Sequence, residues 1–144
     1  MTTKLKILFL CTGNSCRSQM AEGFANHLKG DLLEAYSAGI EIHGINPNAV
    51  KVMQEVGIDI STQQSKLTGA LKNIEFDYVI TVCDSAKGNC PFFPAKVRII
   101  HHRFSDPPQM AARRKKLSQK MECYRFVRDE IKKFILKLPD NLKG

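Results

Sequence analysis

Two rhythms of apolar and polar positions alternate along the chain. Residues 5–10, LKILFL, are a nearly continuous apolar run that predicts a strand buried on both faces. After a small polar stretch, Met20, Ala21, Phe24, Ala25 and Leu28 recur at helical spacing, and Gly30 sits where such a helix would end. LLEAYSAG, 32–39, predicts a second strand closed by Gly39. Asn46 and Pro47 then form a helix start, a capping side chain followed by the ring that suits the first helical position. Ala49, Val50, Met53 and Val56 supply that helix with an apolar face, and Gly57 ends it. Residues 62–75 are expected to be helical, wholly or in part. FDYVITVC, 76–83, and KVRIIHH, 96–102, predict a third and a fourth strand. A last long helix is expected over 110–138, with Met110, Leu117, Met121, Tyr124, Val127, Ile131, Phe134, Ile135 and Leu138 on its apolar side. Strands separated by helices imply an α/β fold: a four-stranded parallel sheet with helices on both faces, a three-layer arrangement forming a single domain over 1–144.

Length and composition narrow the class. A chain of 144 residues can bury one substantial core. No stretch reaches the roughly 18 apolar residues of a membrane span. Residues 5–10 are too few for a signal peptide. The expectation is therefore a cytoplasmic protein with no membrane partner. A net charge of +8 favours an anionic ligand. The basic run ARRKK, 112–116, has no interleaved aromatic residues on which bases would stack, so no nucleic acid is expected. Five cysteines are many for a reducing compartment: Cys11, Cys16, Cys83, Cys90 and Cys123. Their odd number speaks against a static disulfide framework. Cys83 and Cys90 are seven apart, and His101 and His102 follow without ligand-like spacing, so no metal is predicted. Thiol chemistry is the better account.

The chemistry concentrates in CTGNSCRS, residues 11–18, between the first strand and the first helix. In an open parallel sheet, ligands bind beyond the carboxyl ends of the strands. A helix amino terminus presents unpaired N–H groups and a positive dipole end. Gly13 and Asn14 tolerate left-handed backbone angles, which lets the loop curl. Thr12, Gly13 and Ser15 are small and leave a concavity open. Arg17 can close it with a planar fork that matches two oxygens of a tetrahedral anion. The same donors favour a thiolate, so Cys11 is expected to ionise well below the free value of about 8.5 and to act as a nucleophile. Ser18 is a candidate to support that sulfur with its hydroxyl. The expected binding set is Thr12, Gly13, Asn14, Ser15, Cys16 and Arg17.

LFLCTGNSCRSQMAEGFA resembles the phosphate loop of the low-molecular-weight protein tyrosine phosphatase superfamily. The resemblance continues through YSAGIEIHGINPNAVKVMQEVGIDIS, DYVITVC, FSDPP and FVRDEI, nearly the whole chain, and is nearest to the thioredoxin-coupled arsenate reductases on that fold. It implies that Cys11 attacks, Arg17 binds the oxyanion and Asp106 is the general acid. Cys83 and Cys90 resemble the resolving cysteines of those reductases, and Gln19 stands where the phosphatases usually have proline. Pro107, Pro108 and Gln109 replace the paired aromatics usual for phosphotyrosine enzymes. The implied activity is reduction of arsenate to arsenite through a disulfide cascade recycled by thioredoxin, by a monomer without metal or organic cofactor. Two alternatives stay open: a low-molecular-weight phosphatase hydrolysing phosphate monoesters through a cysteinyl phosphate, and a non-catalytic oxyanion-binding module. The reductases often carry an aspartate near position 66 that serves a bound potassium ion. Lys66 stands there instead, either an ammonium in the cation's place or a plain surface lysine, so no potassium site is predicted. Cys16 and Cys123 are expected to have structural side chains.

Overall fold

The computed structural model describes residues 4–82 and 93–142. Four strands, β1 (Leu5–Leu10), β2 (Leu33–Ala38), β3 (Tyr78–Thr81) and β4 (Arg98–His101), form one parallel sheet in the order β2-β1-β3-β4. β1 is central. Its Ile7 and Phe9 enter one core and its Leu8 and Leu10 the other, all four without solvent exposure. That explains its unbroken apolar reading, since a strand covered on both faces has no polar side.

The larger core is closed by α1 (Arg17–Lys29), α2 (Pro47–Glu55) and α4 (Leu117–Leu136), which contribute Met20, Phe24, Met53, Ile131 and Ile135. Each such side chain removed from water stabilises the fold by about 1.5–3 kcal/mol. The opposite face is covered by a 3-10 turn, Thr68–Leu71, and by Phe76 and Phe93, whose rings meet edge-on at 5.4 Å. Helical elements therefore lie on both faces of the sheet, as the sequence implies. The start of α2 is also as expected. The Asn46 side chain accepts from the N–H groups of Asn48 (2.8 Å) and Ala49 (3.3 Å), Pro47 is the first helical residue, and Gly57 turns the chain away at φ +82°. Among the described residues no helix is long and apolar enough to cross a membrane.

One expectation is met only in part and one fails. Residues 62–75 are helical only in the 3-10 turn Thr68–Leu71; the rest runs as irregular chain with a single parallel bridge, Gly39 to Leu67. Their polar groups are engaged by the loop after β1, and that engagement outweighs a weak local preference for helix. The last helix is not continuous from 110 to 138. It is divided into α3 (Pro107–Ala111) and α4, with ARRKK between them. Pro107 and Pro108 suit the first turn of a new helix. Arg113, Arg114, Lys115 and Lys116 are all exposed and offer no apolar member to bury, and like charges at helical spacing repel. The Lys120 ammonium donates to Ala111 O (3.0 Å) at the end of α3.

Helices α2 and α4 are tied through one carboxylate. Arg125 donates to Glu55 through Nε (2.9 Å) and Nη2 (2.8 Å), and the buried Arg128 donates through Nη1 to Glu55 Oε1 and to Val52 O, both at 2.9 Å. The bonds from Arg125, then those from Arg128, push the Glu55 carboxyl down to about 2. An unfolded glutamate ionises near about 4.3. The contribution is therefore complete above about pH 4.3 and is lost as pH falls toward 2. Glu55→Gln should lower the urea midpoint at neutral pH and flatten its decline between pH 5 and pH 2.5. Identical decline in both proteins would remove Glu55 from the acid sensitivity of the fold.

Candidate active site

Residues 11–17 leave the carboxyl end of β1 and enter α1 where the sheet order reverses, with β2 on one side of β1 and β3 on the other. This is the switch point at which open parallel sheets form their crevice. The loop is shaped by what its carbonyls do. Thr12 O accepts from the N–H groups of Ile40 and Glu41, both at 3.0 Å. Gly13 O accepts from His43 N (3.1 Å) and Ser65 Oγ (3.2 Å). Asn14 O accepts from Gln19 Nε2 (3.0 Å), Ser15 O from Asn46 N (3.0 Å) and Cys16 O from Met20 N (2.9 Å). Every carbonyl from 12 to 16 is thus engaged from outside the loop. The N–H groups of Thr12, Gly13, Asn14 and Ser15 find no backbone acceptor among the described residues. Those of Thr12 and Gly13 act on the Cys11 sulfur. A ring of inward amides ahead of a helix start is an anion cradle.

Asn14 makes the curl possible. It is the one non-glycine residue with positive φ (48°) among the described residues and is fully buried. Its Nδ2 donates to Ser18 Oγ (2.9 Å), and its Oδ1 accepts from Lys66 N (2.8 Å). Gly13 does not use a left-handed angle. It is needed for close approach, because a β-carbon there would lie 2.3 Å from His43 Nδ1. Gly39 is equally constrained, since a β-carbon would lie 2.6 Å from Thr12 O.

A second shell of amides braces the loop from behind. Gln19 Nε2 reaches Gln64 O (3.1 Å) besides Asn14 O, and Gln63 Nε2 donates to Gln19 O (3.0 Å) and Gln19 Oε1 (2.8 Å). Gln63 and Ser65 were not legible as site residues. Their only signal is a run of polar side chains, Gln63 to Lys66, without apolar periodicity. The Lys66 ammonium donates to Gln64 O (3.0 Å) and lies 3.8 Å from Glu22 Oε1, which also accepts from Ser37 Oγ (2.6 Å). Burial pushes the Glu22 carboxyl up, opposed by Ser37 and Lys66. With an ammonium already beside Glu22, these residues do not fit a potassium ion.

Arg17, the first residue of α1, is held rather than loose. Its Nη1 donates to Phe104 O (3.1 Å) and Val82 O (3.4 Å), which fixes the guanidinium plane. Its Nη2 lies 3.9 Å from Asp106 Oδ2, and neither Nε nor Nη2 has a hydrogen-bond partner among the described residues. That leaves an open edge with two donors for an anion. Asp106 stands just before the first residue of α3, with no capping bond from its side chain, and remains partly exposed. Cys11, Arg17 and Asp106, placed together by sequence reasoning, therefore share one mouth.

The expected strong depression of the Cys11 pKa is not found. Cys11 is 5% exposed, and burial pushes its thiol up. Arg17 and the N–H groups of Thr12 and Gly13 pull it down, while the Asp106 carboxylate adds to the rise. Cys16 is pushed up further by burial and packs in the main core, as does Cys123. Ser18 Oγ is engaged by Asn14. Cys83 and Cys90 lie outside the described residues.

The model of the low molecular weight phosphotyrosine protein phosphatase family matches residues 6–143. The chain belongs to that family. Among curated relatives, the arsenate reductase of Shouchella clausii (strain KSM-K16) is 50% identical over 129 residues, 90% of this chain and 91% of its own. The arsenate reductase of Bacillus subtilis (strain 168) is 50% identical over 125 residues, 87% and 88% of the two chains. Among solved structures, an arsenate reductase in the phosphate binding state matches with a TM-score of 0.77 at 31% identity, covering 96% of this chain and 99% of that one. The low molecular weight protein tyrosine phosphatase from T. tengcongensis matches with a TM-score of 0.70 at 27% identity, covering 96% and 99%.

Substitutions at two positions test the cradle. Asn14→Gly keeps access to positive φ but leaves Lys66 N–H without its partner, a loss of about 1–3 kcal/mol. Asn14→Ala should lose about 1 kcal/mol more, because alanine resists that backbone angle. Urea denaturation separates the two, and equal stabilities for the Gly and Ala variants would exclude the backbone contribution. Arg17→Lys should weaken phosphate binding and move Cys11 alkylation to higher pH, because a point charge does not reproduce an oriented fork. An unchanged alkylation profile and phosphate affinity would remove Arg17 from both roles.

Proposed function

We propose that this protein is an arsenate reductase that uses Cys11 as nucleophile and passes the oxidation to a Cys83–Cys90 disulfide. The carrying observation is the half-identity over most of the chain to curated proteins named arsenate reductase. It joins a cradle in which amides and an arginine converge on a buried sulfur.

The steps follow from the residues. Arsenate enters the 11–17 loop, its oxygens facing the amides and the open edge of Arg17. As the Cys11 sulfur attacks arsenic, its thiol proton passes to the Asp106 carboxylate and from there to the departing hydroxyl, which leaves as water. Cys83 as thiolate then attacks Cys11 Sγ. The S–As bond breaks, its electron pair goes to arsenic, and As(V) becomes As(III). Arsenite leaves, and a Cys11–Cys83 disulfide remains. Cys90 attacks Cys83, so Cys83–Cys90 forms and the Cys11 thiolate is released. A protein dithiol, thioredoxin in this reading, supplies the two electrons that reduce that final bond. The route of β3 supports this order. Val82 N donates to Leu10 O (2.9 Å), so the chain runs beside the residue before Cys11 one position before reaching Cys83. The reading places the enzyme in the cytoplasm, acting as a monomer with no cofactor of its own.

Phosphate monoester hydrolysis is the second reading, favoured by the family's own description and by the fit to a solved tyrosine phosphatase. Sulfur stoichiometry distinguishes the two. Cys90→Ser should release one arsenite per enzyme and stop as the Cys11–Cys83 disulfide. Cys83→Ser should release none, while any aryl phosphate hydrolysis survives. Peptide mapping after one equivalent of arsenate, without reductant, should find Cys83 joined to Cys90 in the unmodified protein. Sustained thioredoxin-coupled turnover by Cys90→Ser would move phosphate ester hydrolysis to first place.

A further inference from the structure

The net charge of the chain is not evenly spread. From Arg103 to Lys120 the sequence carries Arg103, Arg113, Arg114, Lys115, Lys116 and Lys120 against one acid, Asp106. These 18 residues therefore hold six of the 22 cationic side chains and one of the 14 acidic ones, five of the eight net charges. They are also the residues that carry the acid of the site. Arg113 to Lys116 are exposed, and none of the four forms an ion pair among the described residues. Glu55 of α2 and Glu122 of α4 are engaged by Arg125. The run begins two residues past α3, which Asp106 precedes, and five helical residues place it on the order of 10 Å from that carboxylate. Asp106 in turn lies 3.9 Å from Arg17.

We infer that the 113–116 run is an electrostatic collar that concentrates divalent oxyanions at the mouth of the 11–17 loop. It does not touch the bound anion. It raises the potential outside the cradle, where a doubly charged tetrahedral anion gains twice what a monoanion gains. This role explains why the run is exposed, unpaired and free of aromatic residues, which a nucleic-acid surface would carry. It also makes the charges useful at the point where the sequence abandons a continuous helix. The inference rests on reading the loop as an oxyanion cradle and not on the reductive steps.

The test measures inorganic phosphate affinity, by competition or calorimetry, as a function of salt. Arg113→Gln, Arg114→Gln and Lys115→Gln are combined in one protein, leaving Lys116 to begin α4. A control protein combines Lys29→Gln, Lys51→Gln and Lys72→Gln, the same change of net charge outside the 103–120 stretch. At about 20 mM ionic strength the collar variant should bind phosphate about three- to tenfold more weakly than the unmodified protein, and the control should differ much less. At about 0.5 M salt, where screening acts within roughly 4 Å, all three affinities should converge. That convergence also shows that the cradle itself is intact in the variant. Equal weakening by collar and control variants, or a collar defect that persists at high salt, would overturn the inference. Because the readout is phosphate affinity, the result decides the collar whether or not the protein reduces arsenate.

Discussion

The outward engagement of the loop carbonyls is the interaction on which the site depends. A peptide that turns its N–H groups to one side must turn its carbonyls to the other, and a buried carbonyl without a donor costs free energy. Here the donors are supplied by segments far away in sequence: 40–46 on one flank, 63–66 on the other and Gln19 from α1. The cradle is therefore not a property of residues 11–17 alone. It exists because two otherwise irregular segments give up their own local structure to hold it. Their lack of regular structure follows from this use.

The same constraint explains the glycines and the asparagine. Gly39 and Gly13 sit where backbone, or the His43 ring, approaches too closely for any β-carbon. Asn14 takes the left-handed angle while its amide secures α1 through Ser18 and the 63–66 segment through Lys66 N–H. One buried side chain thus sets the backbone turn and links the two elements that bracket it. Arg17 is fixed in a comparable way. Its Nη1 bonds to Val82 O and Phe104 O join the ends of the β3 and β4 regions to the cradle, so the anion-binding edge is positioned before any anion arrives.

Much of this was legible in the sequence. β1, α1, β2 and α2 fall close to their expected bounds because periodicity and the Asn46–Pro47 cap speak locally. Cys11 and Arg17 lie at the end of β1 as the loop sequence implies, and Asp106, which only the family resemblance pointed to, lies beside Arg17. What failed depends on distant partners. Residues 62–75, expected to be helical at least in part, keep only the 3-10 turn Thr68–Leu71, because Ser65 and Lys66 are matched to the loop, and no local rule shows that match. The division of the last helix at 112–116 was visible as a charge run, yet apolar positions on either side kept the helical period and concealed the break. The Cys11 pKa was misjudged for a related reason. Its helping donors are local and were counted, whereas its burial is created by the whole core.

A cradle of this kind does not distinguish hydrolysis from reduction, since both begin with sulfur attacking a tetrahedral oxyanion centre. They diverge at the second attack. Water must reach the central atom on the solvent side, where Asp106 stands partly exposed. A resolving thiol must instead reach the Cys11 sulfur itself, opposite the bond to arsenic, and so must approach from the protein side of the loop. The geometry of the two routes differs even though the cradle is shared. β3 runs parallel to β1 and ends beside it, with Thr81 paired to Leu10. The cradle itself, with its inward amides and the open edge of Arg17, suits a small tetrahedral anion in either case.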